Sequence, residues 1–215
     1  MKKLVIFGSG CHAKVVFSEA LKLKKFKLLG FVDDYEKKGK LVLKIKNKKY
    51  YNIGKIKNLK LKKNLYGVIG VGSSALRKKI FHEIIKQIKK FKFEKIISKD
   101  AIIDQTVKLG EGTVVISNSI INRGTTIGSH CLINTSSSID HDNIIDNFVS
   151  ISPGVTTGGR VKIGEKTFIG IGSTIKNSTK IGKNVLVGGA SFVNKNLMNN
   201  SLAYGVPAKK IKKKN

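Results

Sequence analysis

Residues 133–186, read six at a time, are INTSSS IDHDNI IDNFVS ISPGVT TGGRVK IGEKTF IGIGST IKNSTK IGKNVL. The same phase extends both ways without a slip, from Ile97 to Val193. Sixteen of the seventeen first positions are aliphatic, and the exception is Thr157. A fixed short period is the signature of a repeat architecture. The second position is Gly (Gly128, Gly158, Gly164) or Asn and Asp (Asn134, Asp140, Asp146). These residues hold left-handed backbone at least cost, so the reading puts the bend there. The fifth position is small or β-branched almost throughout, from Thr113 and Ser119 to Val185 and Ser191. Each unit is therefore a short strand plus a tight bend, with two inward side chains. Parallel rungs stacked in this way bury the aliphatic column and pair their backbone with the coils above and below, which makes a β-solenoid. Three faces per coil give roughly 18 residues a coil and about five coils.

Outside the repeat, composition sets limits. A chain of 215 residues holds one domain or two. No apolar run reaches the ~18 residues that a membrane span needs. The apolar part of MKKLVIFGSG is too short for a signal peptide, so none is expected. The two cysteines, Cys11 and Cys131, are far apart and without paired metal spacing, which fits a reduced, cytoplasmic compartment. The net charge of +29 invites a nucleic-acid partner. The lysines are spread over both halves with no aromatic platform, so they are read as solvated surface and no nucleic acid is expected. Their field would speed capture of an anionic substrate at low salt.

Before the repeat, Lys3–Phe7 reads as a buried strand running into Gly8-Ser9-Gly10-Cys11-His12-Ala13. An amphipathic helix follows, with Val15, Val16, Ala20, Leu21 and Leu23 near one side. A second strand, Leu28–Val32, ends at Asp33-Asp34. This is the G-x-G-x-x-A dinucleotide fingerprint, with an acid 23 positions after Gly10. Such a turn lets backbone N–H groups approach a pyrophosphate at a helix N-terminus. The plainer reading is a glycine needed only for a tight strand–helix turn. Residues 35–64 are Lys-rich and read as loops with one minor strand. Leu65–Val71 reads as another strand, Gly70-Val71-Gly72-Ser73-Ser74 as a second glycine turn, and Ala75–Lys90 as a helix with Leu76, Ile80, Ile84, Ile85 and Ile88 as its apolar stripe. Phe91–Ile97 reads as a last strand. Residues 1–95 are thus expected to form a Rossmann-like α/β domain that binds the nucleotide part of a ligand, and residues 96–215 an all-β helix with a C-terminal tail. Both glycine turns fall at the ends of strands where such sheets bind ligands.

Four histidines are present. His82 reads as a surface residue of the second helix, and His130 sits in an ordinary rung. His141 lies in a polar run flanked by Asp140 and Asp142, two positions after Ile139, and so faces outward. One coil further, 18 residues on, lie Gly159 after His141 and Thr157 after Ile139. Neighbouring rungs are ~4.8 Å apart. A bare glycine N–H beside an imidazole can supply an oxyanion donor next to a general base; the plainer reading is an exposed histidine on a solenoid face. A zinc site of three histidines does not fit, because His130 and His141 are 11 residues apart, neither one coil nor one face. Cys131 reads as inward and Cys11 as part of the turn, so neither is supported as a nucleophile.

The repeat pattern [LIV]-G-x-x-x-x resembles the hexapeptide-repeat acyltransferases. The order of glycine turn, Asp33-Asp34, GVGSS, INTSSSIDHD, SPGV and a terminal GVPAK resembles one subfamily along nearly the whole chain. It comprises bacterial acetyltransferases that act on sugars for surface glycans such as lipopolysaccharide: N-acetyltransferases of nucleotide-linked 4-amino sugars, and sialic acid O-acetyltransferases. The resemblance implies a left-handed parallel β-helix, a homotrimer with sites between neighbouring solenoids, acetyl-CoA as cosubstrate and no metal. It makes His141 the general base, Asp142 the group that raises its basicity, and the Gly159 N–H the oxyanion donor. It places acetyl-CoA near Ser150, Gly159, Ile171 and Gly189. It places the nucleotide-sugar at Gly8, Gly10, Cys11, His12, Ala13, Asp33, Asp34 and Gly72. Asp142 stands where Glu is frequent, Ser150 where a second His is common, and Cys11-His12-Ala13 where Gly-His-Gly is usual. The expected reaction is acetyl transfer to the amine of a nucleotide-linked 4-amino-4-deoxy sugar. The alternatives are O-acetylation of a sialic-type sugar, an NAD(P)-binding oxidoreductase or regulatory domain, and a solenoid without activity.

Overall fold

A computed structural model of the chain describes residues 1–60 and 64–213. The chain divides into two compact units, Met1–Ser98 and Lys99–Asn215.

The first unit is built on β1 (Lys2–Phe7), α1 (Cys11–Lys22), β2 (Phe26–Val32), β3 (Leu41–Ile45), β4 (Lys48–Gly54), β5 (Leu65–Ile69), α2 (Ser74–Gln87) and β6 (Lys92–Phe93). The sheet order is β3-β4-β2-β1-β5-β6. β1 pairs parallel with both β2 and β5 and is the central strand. Leu4, Val5, Ile6 and Phe7 are all fully buried, the continuous apolar run expected of a strand covered on both faces. In α1 the buried stripe is Ala13, Val16, Phe17 and Ala20, a three-and-four spacing, whereas Val15 and Leu21 are exposed. The helix is thus rotated relative to the expected face, because Phe17, stacked on Phe31 at 4.9 Å, takes the core position. Ile84 in α2 and Ile88 just past its end are buried but Leu76 is exposed, and the buried Arg77 occupies the inner face of the first turn. α2 ends at Gln87, and the expected strand over 91–97 is two separate pieces, Lys92–Phe93 and Ile96–Ile97.

The Lys-rich stretch holds more structure than expected. β3 and β4 form an antiparallel hairpin, and β4 extends the parallel sheet by pairing with β2. A 3₁₀ turn follows at Ile56–Asn58. Exposed lysines hide the alternation, and the side chain that seats β4 is polar: buried Asn52 donates through Nδ2 to the carbonyls of Asp33 (3.2 Å) and Glu36 (2.7 Å). Of the stretch expected to be loop, residues 61–63 lie outside the described residues.

In the second unit, two-residue strands recur every six residues and pair in parallel with those 18 residues away. Three ladders result: Leu109, Ile127, Ile145, Ile163 and Ile181; Val115, Ile133, Ile151, Ile169 and Val187; and Ile103, Ile121, Ile139, Thr157, Ile175 and Val193. At Thr113, Ser119, Thr125, Ser137, Thr167 and Ser173 an inward hydroxyl ties two coils. Thr167 Oγ1 donates to Gly182 O (2.7 Å) and accepts from the Val185 N–H (3.1 Å). Each such bond contributes about 1 kcal/mol net.

The bend is not where the glycines suggested. From Gly112 to Ala190 the left-handed residue is the fourth of each hexad, including Asn118, His130, Asp142 and Arg160 with φ between 55° and 60°. The second-position glycines answer to close stacking instead. A Cβ on Gly164 would come 2.7 Å from Gly182 C and Lys183 N in the next coil. At two of the Asn and Asp positions the short side chain caps the following N–H: Asn134 Oδ1 for Thr135 (2.9 Å) and Asp140 Oδ1 for His141 (2.8 Å). After the repeat, Ser201–Tyr204 adds a parallel strand beside Leu186–Val187. The chain then turns through Pro207 into an antiparallel strand, Lys209–Lys213.

Candidate active site

His141 stands at a solenoid corner, half-exposed, where three backbone and side-chain constraints meet. The Asp140 carboxylate accepts its N–H (2.8 Å), its carbonyl accepts the Arg160 N–H (2.9 Å), and its Nδ1 lies 2.8 Å from Asp142 Oδ2. Asp142 takes the left-handed conformation (φ 55°) that turns its carboxylate back onto the ring. An ionised carboxylate only accepts, so Nδ1 carries the proton and Nε2 keeps a lone pair. That nitrogen faces Gly159: a Cβ built there would lie 2.5 Å from Nε2 and 2.6 Å from Cε1. On the other side, a Cβ at Gly124 would overlap the Asp142 carboxylate. Glycines in the coils before and after thus leave room for the His–Asp pair. The Asp140 carboxyl is held below the usual carboxylate range, chiefly by the His141 N–H and further by the Asn122 amide.

The N–H of Gly159 is the open donor of this corner. At some equivalent positions a side chain takes up the N–H: Asn147 for Ser129, Asp140 for His141, Asn199 for Lys183. Among the described residues no group takes up that of Gly159, while its carbonyl accepts from Ser178 (2.8 Å). The imidazole nitrogen and an available N–H therefore lie side by side on adjacent coils.

Behind the corner, Thr157 and Asn143 are both buried, and Asn143 Nδ2 lies 3.3 Å from Thr157 Oγ1. Sequence reasoning singled out Thr157 and missed Asn143. The signal was present: from Thr113 to Ser191, Asn143 alone in the fifth-position column is neither small nor β-branched.

The other expected residues fall into distinct places. Ile171 is exposed, and Gly189 sits one coil above it, with the position of its absent Cβ 3.1 Å from Ile171 Cγ2. Ser150 is buried within the chain. His130 is not an ordinary rung residue, because it is buried and its ring stacks on Phe148 at 5.1 Å. Cys131 is buried with Sγ 3.0 Å from Asp146 O, and His82 is exposed. Among the described residues no three His, Cys, Asp or Glu side chains group as a metal site. No helix is long and apolar enough to cross a membrane.

In the α/β unit, Gly8 (φ 96°) makes the first turn and Ser9 Oγ donates to Asp33 Oδ2 (2.7 Å). Asp34 Oδ1 accepts the Ile56 N–H (2.7 Å), so both acids are held by backbone or hydroxyl donors. A cavity at this end of the sheet is lined by Phe7, Gly8, Val32, Asp33, Asp34 and Tyr35, with Lys79 at its side. The open position at Gly10 caps α1, and Cys11 is the exposed first residue of that helix rather than part of the turn. Ala13 is fully buried against Gly70, where the helix crosses the sheet. Gly72 is open, and Arg77 Nη1 donates to its carbonyl (3.0 Å) and to that of Val71 (2.8 Å). Sequence reasoning missed this arginine, whose burial is set by the turn it braces.

His12 is the most perturbed group. Burial first, and the Arg77 charge second, lower its pKa to about 4. The unfolded chain therefore binds one more proton than the folded one between about pH 4 and pH 6.5. The contribution is fully present above pH 6.5 and is lost as pH falls toward 4, by no more than about 3 kcal/mol. His12→Gln should flatten the melting temperature against pH across that window, and an unchanged slope would reject the assignment.

Residues 3–84 match the PglD N-terminal domain. The acetyltransferase domain of PglB from Neisseria gonorrhoeae FA1090 is 26% identical with a TM-score of 0.88, over 98% of this chain and 100% of that one. A variant of perosamine N-acetyltransferase from Caulobacter crescentus, solved with CoA and GDP-perosamine, is 27% identical with a TM-score of 0.89, over 99% and 98%. WeeI from Acinetobacter baumannii AYE, 21% identical, shares the fold with a TM-score of 0.84 over 98% and 100%. By its N-terminal domain and along its full length, this chain is similar to bacterial sugar N-acetyltransferases.

Proposed function

We propose that the protein transfers the acetyl group of acetyl-CoA to the amine of a nucleotide-linked 4-amino-4-deoxy sugar. The observation that carries this is His141 Nε2 lying against Gly159 of the next coil, whose N–H no described residue takes up. The similarity to an enzyme solved with CoA and GDP-perosamine supports the substrate class. The amine nitrogen attacks the thioester carbonyl and Nε2 takes its proton. The Gly159 N–H stabilises the oxyanion of the tetrahedral intermediate. As the C–S bond breaks, the proton passes to the departing sulfur, leaving the N-acetyl sugar and CoA. Asp142 holds the ring in the tautomer this needs and favours the imidazolium that forms.

Acetyl-CoA lies along the solenoid by Ser150, Gly159, Ile171 and Gly189. The nucleotide-sugar lies on the α/β unit at Gly8, Gly10, Cys11, His12, Asp33, Asp34 and Gly72, with fully buried Ala13 packed against Gly70 beneath the turn. The working form is a cytoplasmic homotrimer, for which exposed Ile102 and Ile120, stacked on one solenoid face, supply apolar surface.

The test is CoA release with a panel of acceptors, alongside nicotinamide-nucleotide titration. Turnover with a UDP-, GDP- or dTDP-linked 4-amino sugar is expected. Turnover on sialic acids alone would move the assignment to O-acetylation, and nicotinamide binding without CoA release would move it to a dinucleotide-dependent protein.

A further inference from the structure

Two columns of inward side chains run the length of the repeat, and each has one residue out of character. Thr157 is the non-aliphatic first position, and Asn143 is the one carboxamide among the fifth positions from Thr113 to Ser191. They are in contact, with Asn143 Nδ2 3.3 Å from Thr157 Oγ1, directly behind the corner that presents His141. Their bonds join the two coils that carry His141 and Gly159. Asn143 Nδ2 donates to Asp140 O (2.6 Å) in its own coil and to Gly158 O (3.2 Å) in the next. Asn143 Oδ1 accepts the Val161 N–H of that next coil (2.9 Å). Thr157 Oγ1 accepts the Asp140 N–H (3.3 Å), and the Asp140 carboxylate caps the His141 N–H.

The fold alone does not require this. At Thr167 a single hydroxyl makes the corresponding bonds, to the carbonyl 15 residues on and from the N–H 18 residues on. A buried amide is costly unless bonded, and here it is bonded on both sides, so it adds constraint to one corner. The additional bonds to Asp140 O and Thr157 Oγ1 clamp the residue before His141 to the residues before Gly159.

We infer that Asn143 and Thr157 are positioning residues that set the approach of His141 Nε2 to the Gly159 N–H. The inference rests on the reading of that corner as the reacting one. Misplacing a catalytic group by about 1 Å costs on the order of 10²-fold in rate.

Thr157→Val gives this position the aliphatic residue that the other sixteen first positions carry. The expected result is a melting temperature equal to or above that of the wild type, with kcat lowered at least about 10-fold and KM for acetyl-CoA nearly unchanged. Thr157→Ser keeps the hydroxyl and should keep kcat. Asn143→Thr supplies the hydroxyl used elsewhere and should fold but lose kcat in the same way. A merely structural pair would instead couple loss of rate to loss of stability. Folded Thr157→Val and Asn143→Thr proteins with kcat within about twofold of wild type would overturn the inference. Crystal structures of both variants give an independent reading, in which the His141 ring should leave its place over Gly159. If the wild type acetylates no acceptor, the proposed function falls, and an unmoved ring in these crystals would then overturn the positioning role on its own.

Discussion

His141→Ala should lower kcat by about 10²–10⁴-fold while leaving the melting temperature within a few degrees of wild type. The side chain is 40% exposed, and its packing contributes little to the aliphatic core of the solenoid. The loss should therefore appear in rate and not in folding. KM for acetyl-CoA should change little, because in the proposed mechanism the imidazole acts on the acceptor amine rather than on the cofactor. Asp142→Asn should fall between the variant and wild type. An asparagine can still accept through its oxygen, but its neutral amide no longer stabilises the imidazolium. Steady-state kinetics at saturating acetyl-CoA measure both. Near-full turnover by His141→Ala would remove the histidine from the mechanism.

Gly159→Ala should be nearly as damaging to rate, again without unfolding the protein. Gly159 is not among the glycines with positive φ, so alanine meets no backbone strain there. Its methyl would lie 2.5 Å from His141 Nε2, inside contact distance of a ring that can swing into solvent. The cheapest relief is rotation of that ring away from the Gly159 N–H, which separates base from oxyanion donor. A loss of about 10²-fold in kcat is expected, the scale of misplacing a catalytic group by about 1 Å. A variant crystal should show the ring displaced, and the melting temperature should stay close to wild type. An active Gly159→Ala protein with the ring in place would mean that the rate does not depend on the open space between Gly159 and the imidazole.

Both variants test a corner whose location follows from counting. In a parallel stack kept in register, residue i touches residue i+18, so a six-residue period is enough to put Gly159 beside His141 and Thr157 beside Ile139. The α/β unit was legible in outline for a similar reason, because buried strands and glycine turns leave strong local signals. The β3–β4 hairpin was not, since its lysines mask alternation and Asn52 seats it through polar bonds formed with Asp33 and Glu36. The face of α1 was not either: Val15 and Phe17 are equally apolar on paper, and only the aromatic stack with Phe31 decides which turns inward.

The repeat by itself determined the solenoid, its three ladders and the outward place of His141, because contacts in a periodic stack are fixed by sequence separation. The tertiary structure decided the rest. It put the left-handed residue at Asp142 instead of the preceding glycine-type position, and so turned the carboxylate onto Nδ1 and left Nε2 to face Gly159. It buried His12 beside Arg77 and drove its pKa down, and it joined Asn143 to Thr157 behind the corner. These depend on where side chains from different coils and elements point, which a period does not encode.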